Sequence, residues 1–127
     1  MASFDTSAVR RVVLCSGKFY YDLAEYRAKA NAYSTAIVRV EQLYPVPHEQ
    51  LRAELSRYPA DAELVWAQEE PENQGAWPRM ALRLPELLGR PLTAVTLPPS
   101  SAPAYGSAKI HNSSHRELIE TAIPAEG

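Results

Sequence analysis

Apolar residues along this chain follow two alternating patterns. Short continuous runs rich in β-branched residues predict buried strands, because a strand that is covered on both faces shows no polar alternation. Four such runs occur, at Arg11–Ser16, Thr35–Val40, Glu63–Gln68 and Leu92–Leu97. The stretches between these runs carry apolar residues three or four positions apart, which predicts helices that bury one face.

Three helices are predicted between these strands. The first follows Gly17, and its apolar stripe consists of Phe19, Leu23, Tyr26 and Ala30. Pro47 fits the first turn of the second helix, which ends before Pro59. The third begins at Trp77, and Pro85 within it predicts a kink or an early end, because proline has no N–H for the helical hydrogen bond.

A last helix is predicted after the fourth strand. Residues Pro98–Lys109 are predicted to form a loop, and Ser114 with Glu117 forms a capping box that starts the helix at Ser114. Strand and helix thus alternate four times, which is typical of an α/β domain with a parallel sheet. We expect a flexible leader over residues 1–9 and a single domain over residues 10–127.

Composition limits the class of protein. With 127 residues, 46% apolar and 22% charged, the chain is predicted to be one globular domain rather than a disordered or coiled-coil chain. Its net charge of −2 gives no reason to expect nucleic acid or a membrane as a partner. The one cysteine, Cys15, lies in a predicted buried strand, so we expect a cytoplasmic protein with a reduced thiol.

Two short segments are candidates for ion binding. Ser16, Gly17 and Lys18 form the turn before the first helix, where free backbone N–H groups and the helix dipole favour an anion. The chain contains neither of the phosphate-binding patterns G-x-x-x-x-G-K-[ST] and G-x-G-x-x-G. This turn is therefore either a plain tight turn or a contact for a phosphate-bearing effector. His111 and His115 lie four residues apart without a third ligand, so no metal-binding residue is predicted.

The loop from Gln68 to Trp77 is the most informative stretch. Glu69 and Glu70 directly follow the third strand, and open parallel sheets place ligand sites at the carboxyl ends of their strands. Polar side chains that both donate and accept, set beside Pro, Gly and Trp, predict a fixed loop that contacts a partner surface. The predicted contact residues are Gln68, Glu69, Glu70, Asn73, Gln74, Gly75 and Trp77.

Two alternatives remain for this loop. Trp77 is alternatively the first core residue of the next helix, and Glu69 with Glu70 is alternatively the acid and base of a small independent enzyme. The chain has no G-x-S-x-G elbow for nucleophilic catalysis, and no catalytic residue is predicted.

Five segments resemble, in order and spacing, the C-terminal domain of the thiamine-diphosphate-dependent first component of 2-oxoglutarate dehydrogenase. The long strings QEEPENQGAW and VEQLYP make this resemblance specific. The five segments are Ser16–Leu23, Ala36–Pro47, Arg57–Pro59, Val65–Trp77 and Ser101–His111.

The resemblance implies a three-layer, transketolase C-terminal-type α/β fold with a mostly parallel sheet of four to five strands, the fifth around Lys109–Asn112. It implies an assembly domain that packs against other domains and within a homodimer, and that is inactive alone, either as an excised piece or as a split subunit. Thiamine diphosphate and magnesium would belong to other domains, with no cofactor in this chain. The parent enzyme would decarboxylate 2-oxoglutarate and succinylate a lipoyl group, so the lipoyl acyltransferase would be an indirect partner.

Some relatives of this type help to form a pocket for an effector. The alternative function is therefore a regulatory module that binds acetyl-CoA or a nucleotide through Ser16, Gly17 and Lys18. This chain has Leu97, Pro98 and Pro99 where such relatives tend to carry arginines, which removes charge from a phosphate site.

Overall fold

The computed structural model describes residues 6–40, 48–71, 73–97 and 108–124. The strands are β1 (Arg11–Cys15), β2 (Thr35–Arg39), β3 (Glu63–Pro71) and β4 (Thr93–Leu97). The helices are α1 (Phe19–Ala30), α2 (His48–Leu55), α3 (Trp77–Leu88) and α4 (Ala108–Ala122). Strand and helix alternate along the chain, which confirms the predicted α/β class.

The four strands form one parallel sheet in the order β2-β1-β3-β4. In register, Leu14 of β1 lies between Val38 of β2 and Trp66 of β3. The chain leaves β1 toward one edge of the sheet and leaves β3 toward the other edge. The carboxyl ends of β1 and β3 therefore flank the point where the strand order reverses.

Both faces of the sheet are covered, which explains the unbroken apolar runs. Val12 and Leu14 belong to a core cluster shared with α2 and α3, whereas Val13 and Cys15 belong to a second cluster shared with α1 and α4. Successive residues of a strand point to opposite faces, so each residue of β1 from 12 to 15 needs an apolar side chain. The predicted three-layer arrangement is confirmed.

Trp66 and Cys15 occupy opposite sides of this sheet. Both side chains are fully buried, in the clusters against α3 and α1 respectively. Burial raises the pKa of the Cys15 thiol to about 12, although the charge of Arg39 acts in the opposite direction. The thiolate is the reactive form of cysteine, so this thiol is inert in the folded chain.

Helix α3 does not end early at Pro85. It continues to Leu88, and the N–H of Gly89 closes it by donating to the carbonyl of Pro85 at 2.8 Å. Met80 and Leu84 are fully buried on its inner face. Burial of this apolar face outweighs the one backbone hydrogen bond that proline removes, and the predicted early end is wrong.

Helix α4 begins earlier than the capping box indicated. It starts at Ala108, so Ser114 lies within the helix and the predicted start there is wrong. The fifth strand expected around Lys109–Asn112 is also wrong, because these residues are helical. The S-x-x-E pattern also occurs inside helices, so it does not by itself mark a helix start. Ala108 and Lys109 are good helix formers, and the helix begins with them. Residues 98–107 of the predicted loop lie outside the described part.

The folded region begins before Arg10. Thr6–Ala8 form one 3-10 turn, and Val9 is buried in the core cluster that contains Trp66. The division into a leader over residues 1–9 and a domain over residues 10–127 stays a prediction. No helix in the described ranges is long and apolar enough to cross a membrane.

Candidate functional site

A cavity of about 800 Å³ lies at the carboxyl ends of β1 and β3. It occupies the position where open parallel sheets form ligand crevices, since the chain connections diverge there to opposite edges. The turn after β1 and the loop after β3 form its walls, so the structure brings the two predicted sites together. The lining residues are Ser16, Gly17, Lys18, Phe19, Trp66, Gln68, Glu69, Glu70, Gly75, Ala76, Pro78, Arg79 and Met80.

The turn after β1 has a backbone that favours glycine. Gly17 has a φ of +68°, a conformation that other residues adopt only with strain. Lys18 then precedes α1 without a side-chain cap, and its carbonyl accepts the N–H of Tyr21 at 3.0 Å. The cavity wall thus combines Lys18 with two exposed carboxylates, Glu69 and Glu70. Its mixed charge does not single out an anion as ligand.

Gln68 lies within β3, and its side chain holds the end of this strand and the loop that follows it. Its Oε1 accepts hydrogen bonds from the indole N–H of Trp66 at 3.0 Å and from the backbone N–H of Trp77 at 2.8 Å. Its Nε2 donates to three carbonyl oxygens, at 3.3 Å for Glu70, 2.9 Å for Pro71 and 2.8 Å for Gln74. Two donors face the oxygen and three acceptors face the nitrogen, which fixes the orientation of the amide.

This network changes the role of Gln68. The sequence predicted a side chain that reaches a partner, whereas Gln68 is buried, with 5% of its surface exposed. Both polar ends of its amide are satisfied within the chain. Gln68 therefore fixes the shape of the loop.

The exposed residues of this loop form a small polar surface. Glu69, Glu70 and Asn73 are exposed and together define what we call the loop surface. Trp77 is the first residue of α3 and is partly buried against the core cluster, as its alternative interpretation predicted. The loop surface thus runs from the carboxyl end of the inner strand β3 toward α3, and both elements are anchored in the core.

Gly75 lets the loop turn tightly against Glu70. It has a φ of +66°, and a Cβ atom on it would lie 3.0 Å from Cδ and 3.1 Å from Cβ of Glu70. Left-handed backbone conformation costs a residue other than glycine about 1–2 kcal/mol. The contact with the Glu70 Cβ adds to this cost, because that atom cannot swing away like the carboxylate.

Gly75→Ala is therefore expected to lower the free energy of unfolding by more than Gly89→Ala. Gly89 has a similar φ of +67° with nothing within 4 Å of the added Cβ, so it isolates the backbone cost of about 1–2 kcal/mol. Urea denaturation of both variants measures the difference. Equal losses would show that Glu70 moves aside freely and does not shape the loop.

A second cluster joins α1, β3 and α4. His115 Nε2 lies 3.2 Å from Asp22 Oδ2, and its Nδ1 lies 3.5 Å from Glu69 Oε1. The sequence spacing relates His115 to His111 instead. No spacing rule connects residues 22, 69 and 115, so no sequence signal could have found this cluster.

The chain resembles known proteins in sequence and in fold. The profile of the family described as 2-oxoglutarate dehydrogenase C-terminal matches residues 2–123. The 2-oxoglutarate dehydrogenase E1 component of Cupriavidus necator is 44% identical over 121 residues. That match covers 94% of this chain and 13% of the relative, so the chain spans a small part of the relative's length.

A solved structure supports the fold independently. It is described as a split gene transketolase, inactive beta4 tetramer, and it superimposes with a TM-score of 0.56 at 15% sequence identity. The superposition covers 94% of this chain and 40% of that structure, which supports the predicted transketolase-like fold. The sequence match over residues 2–123 is more specific than the fold, and it shows that this chain belongs to the 2-oxoglutarate dehydrogenase C-terminal family.

Proposed function

We propose that this chain is the assembly domain of a 2-oxoglutarate dehydrogenase and has no catalytic activity by itself. The observation that carries the proposal is the 44% identity to an E1 component of which the chain matches 13%. In this proposal the whole enzyme decarboxylates 2-oxoglutarate and transfers a succinyl group to a lipoyl group. The cytoplasm is the proposed location, and the lipoyl acyltransferase is an indirect partner.

The proposed contact region is the loop surface formed by Glu69, Glu70 and Asn73. Binding costs less when an interface is already ordered, because little conformational entropy remains to be lost. Gln68 orders this loop through five hydrogen bonds, and α3 anchors its far end. These contacts support packing of the loop surface against a neighbouring domain or the second subunit of a homodimer.

Thiamine diphosphate and magnesium are assigned in this proposal to other domains. A diphosphate needs a cradle of backbone N–H groups or several cationic side chains. The cavity at the Ser16–Lys18 turn sets Glu69 and Glu70 against Lys18 and Arg79, so its wall has no excess of positive charge for a diphosphate. The lining of this cavity thus does not fit the cofactor, and no step of the reaction is assigned to its residues.

Domain replacement tests the proposal. The Cupriavidus necator E1 component without its C-terminal domain is expected to lose assembly and activity, and fusion to this chain is expected to restore both. The isolated 127-residue chain, supplied with thiamine diphosphate and magnesium, is expected to release no carbon dioxide from 2-oxoglutarate. Turnover by the isolated chain, or failure of the folded fusion to assemble, would contradict the proposal.

A charge introduced on the loop surface tests its location within the same fusion. Asn73→Arg is expected to weaken assembly, because a long cationic side chain would enter the packed contact. Asp61→Arg is the matched control, since Asp61 is exposed just before β3, at the opposite end of the sheet. Sedimentation measures the oligomeric state of both fusions. Equal assembly of the two would place the contact elsewhere.

A further inference from the structure

The cluster of Asp22, Glu69 and His115 has the donors of a metal centre. We propose that these three side chains bind a divalent transition-metal ion, with Zn²⁺ as the fitting ion. The inference goes beyond the assembly role proposed above and does not depend on it. In the part of the chain that the structure describes, this is the one group of His, Cys, Asp and Glu side chains that converges in this way.

The donor atoms are close enough to share an ion. One ligand atom from each side chain lies within 4.8 Å of the other two. Zinc binds imidazole nitrogen and carboxylate oxygen at about 2.0–2.2 Å, which places neighbouring ligand atoms about 3–4 Å apart. Only one ring nitrogen of His115 can bind the ion, whereas Asp22 faces Nε2 and Glu69 faces Nδ1. One carboxylate must therefore rotate toward the other nitrogen, and both have room to do so because they are about half exposed.

Each donor is held by a separate element of the fold. Asp22 lies in the first turn of α1, Glu69 near the end of β3, and His115 on α4. The His115 ring makes an edge contact with the ring of Phe19, with centroids 5.5 Å apart. Phe19 is buried, so this contact limits rotation of the imidazole and the carboxylates are the groups that move.

The charge balance favours a cation. Asp22 and Glu69 bring two negative charges to a neutral imidazole, which a divalent ion neutralises. Two cations line the same cleft, Lys29 and Arg116. Lys29 is paired with Glu25 at 2.9 Å, so Arg116 offsets at most one of the two negative charges of Asp22 and Glu69. A proton on His115 is the competing explanation, because a charged imidazole would also serve both carboxylates.

The ligand set selects the kind of metal. Imidazole suits Zn²⁺, Cu²⁺ and Ni²⁺, whereas Mg²⁺ and Ca²⁺ prefer oxygen ligands alone. Asp22 and His115 also line a cleft of about 480 Å³, which leaves room for water at the remaining coordination positions. Three protein ligands and an open position are the arrangement of non-structural zinc sites.

Zn²⁺ titration of the full chain by calorimetry, after treatment with a chelator, tests the proposal. We expect one Zn²⁺ per chain, and at least about tenfold weaker binding in Asp22→Asn, in Glu69→Gln and in His115→Gln. His111→Gln is the matched control on the same helix and is expected to bind as the wild type does. Circular dichroism checks that each variant is folded. If His115→Gln does not fold, Asp22→Asn and Glu69→Gln test the proposal.

Three results would overturn the proposal. Failure of the wild type to bind Zn²⁺ would assign the cluster to a protonated His115 bridging two carboxylates. Unchanged binding in Asp22→Asn and Glu69→Gln would place the ion elsewhere. A loss in His111→Gln as large as in His115→Gln would favour the helical histidine pair instead.

Discussion

Trp66→Ala is expected to lower the free energy of unfolding by about 3–5 kcal/mol, the range for large aromatic truncations in cores. Trp66 is fully buried in the central strand β3, in register with Leu14 of β1 and Ala94 of β4. Truncation leaves a cavity in the core cluster that also holds Met80 and Leu84. Domains of this size have a total stability of about 5–15 kcal/mol, so the loss is a large fraction.

Trp66→Phe separates packing from hydrogen bonding at this position. The phenyl ring keeps most of the buried apolar surface, so Trp66→Phe is expected to lower the free energy of unfolding by less than Trp66→Ala. The loss that remains includes the missing indole N–H that donates to Gln68. Chemical denaturation followed by circular dichroism measures both variants. A change below about 1 kcal/mol in Trp66→Ala would contradict its assignment to the core, since buried large-to-small substitutions cost more.

Gln68→Ala is expected to lower the free energy of unfolding by about 2–4 kcal/mol, because each buried polar group left without a partner costs about 1–3 kcal/mol. The substitution removes the acceptor of the Trp66 indole N–H and of the Trp77 backbone N–H. It also removes the donor to the carbonyls of Pro71 and Gln74. Water entering from the adjacent cavity limits the loss.

Gln68→Glu tests the two halves of this network separately. The carboxylate still accepts from both tryptophans but faces three carbonyl oxygens without a donor. Relative to wild type, Gln68→Glu is expected to lower the free energy of unfolding more at pH 7 than at pH 4. Protonation of the introduced carboxylate at the lower pH restores one donor and removes a buried charge. Gln50→Ala, on the exposed face of α2, is the control and is expected to change stability by less than about 0.5 kcal/mol. Losses from Gln68→Ala no larger than this control would contradict its central role.

These substitutions also bear on assembly. Gln68→Ala frees the loop that presents Glu69 and Asn73, so in the fusion enzyme it is expected to weaken assembly even where the domain remains folded. Gly75→Ala acts on the same loop through Glu70. A loop that must be ordered during binding costs affinity, which links the stability of the loop to the proposed interface.

Strands were the most predictable elements. Each predicted strand agrees with the structure within one residue at its start, because burial on both faces demands an unbroken apolar run. The end of β3 was missed, since the strand continues through Glu69 and Glu70 to Pro71. These residues pair only after a register shift between Ala67 and Pro71, and polar residues in a strand end have no apolar signal.

Helix ends were less predictable than helix positions. Pro85 and Ser114 are local stop and start signals, yet α3 passes through the first and α4 begins before the second. Local signals are worth about 1–3 kcal/mol each, and burial of Met80 and Leu84 competes with them in α3. Tertiary packing decides such boundaries.

The sequence by itself determined the α/β class, the parallel sheet, the inert Cys15 and, through its long matching strings, the family. Burial patterns and strings of neighbouring residues are local, so they can be read along the chain. Only the tertiary structure decided that Gln68 points inward and that Asp22, Glu69 and His115 meet. The direction of an amide and the meeting of residues 93 positions apart depend on how helices pack on the sheet, and no local pattern encodes that geometry.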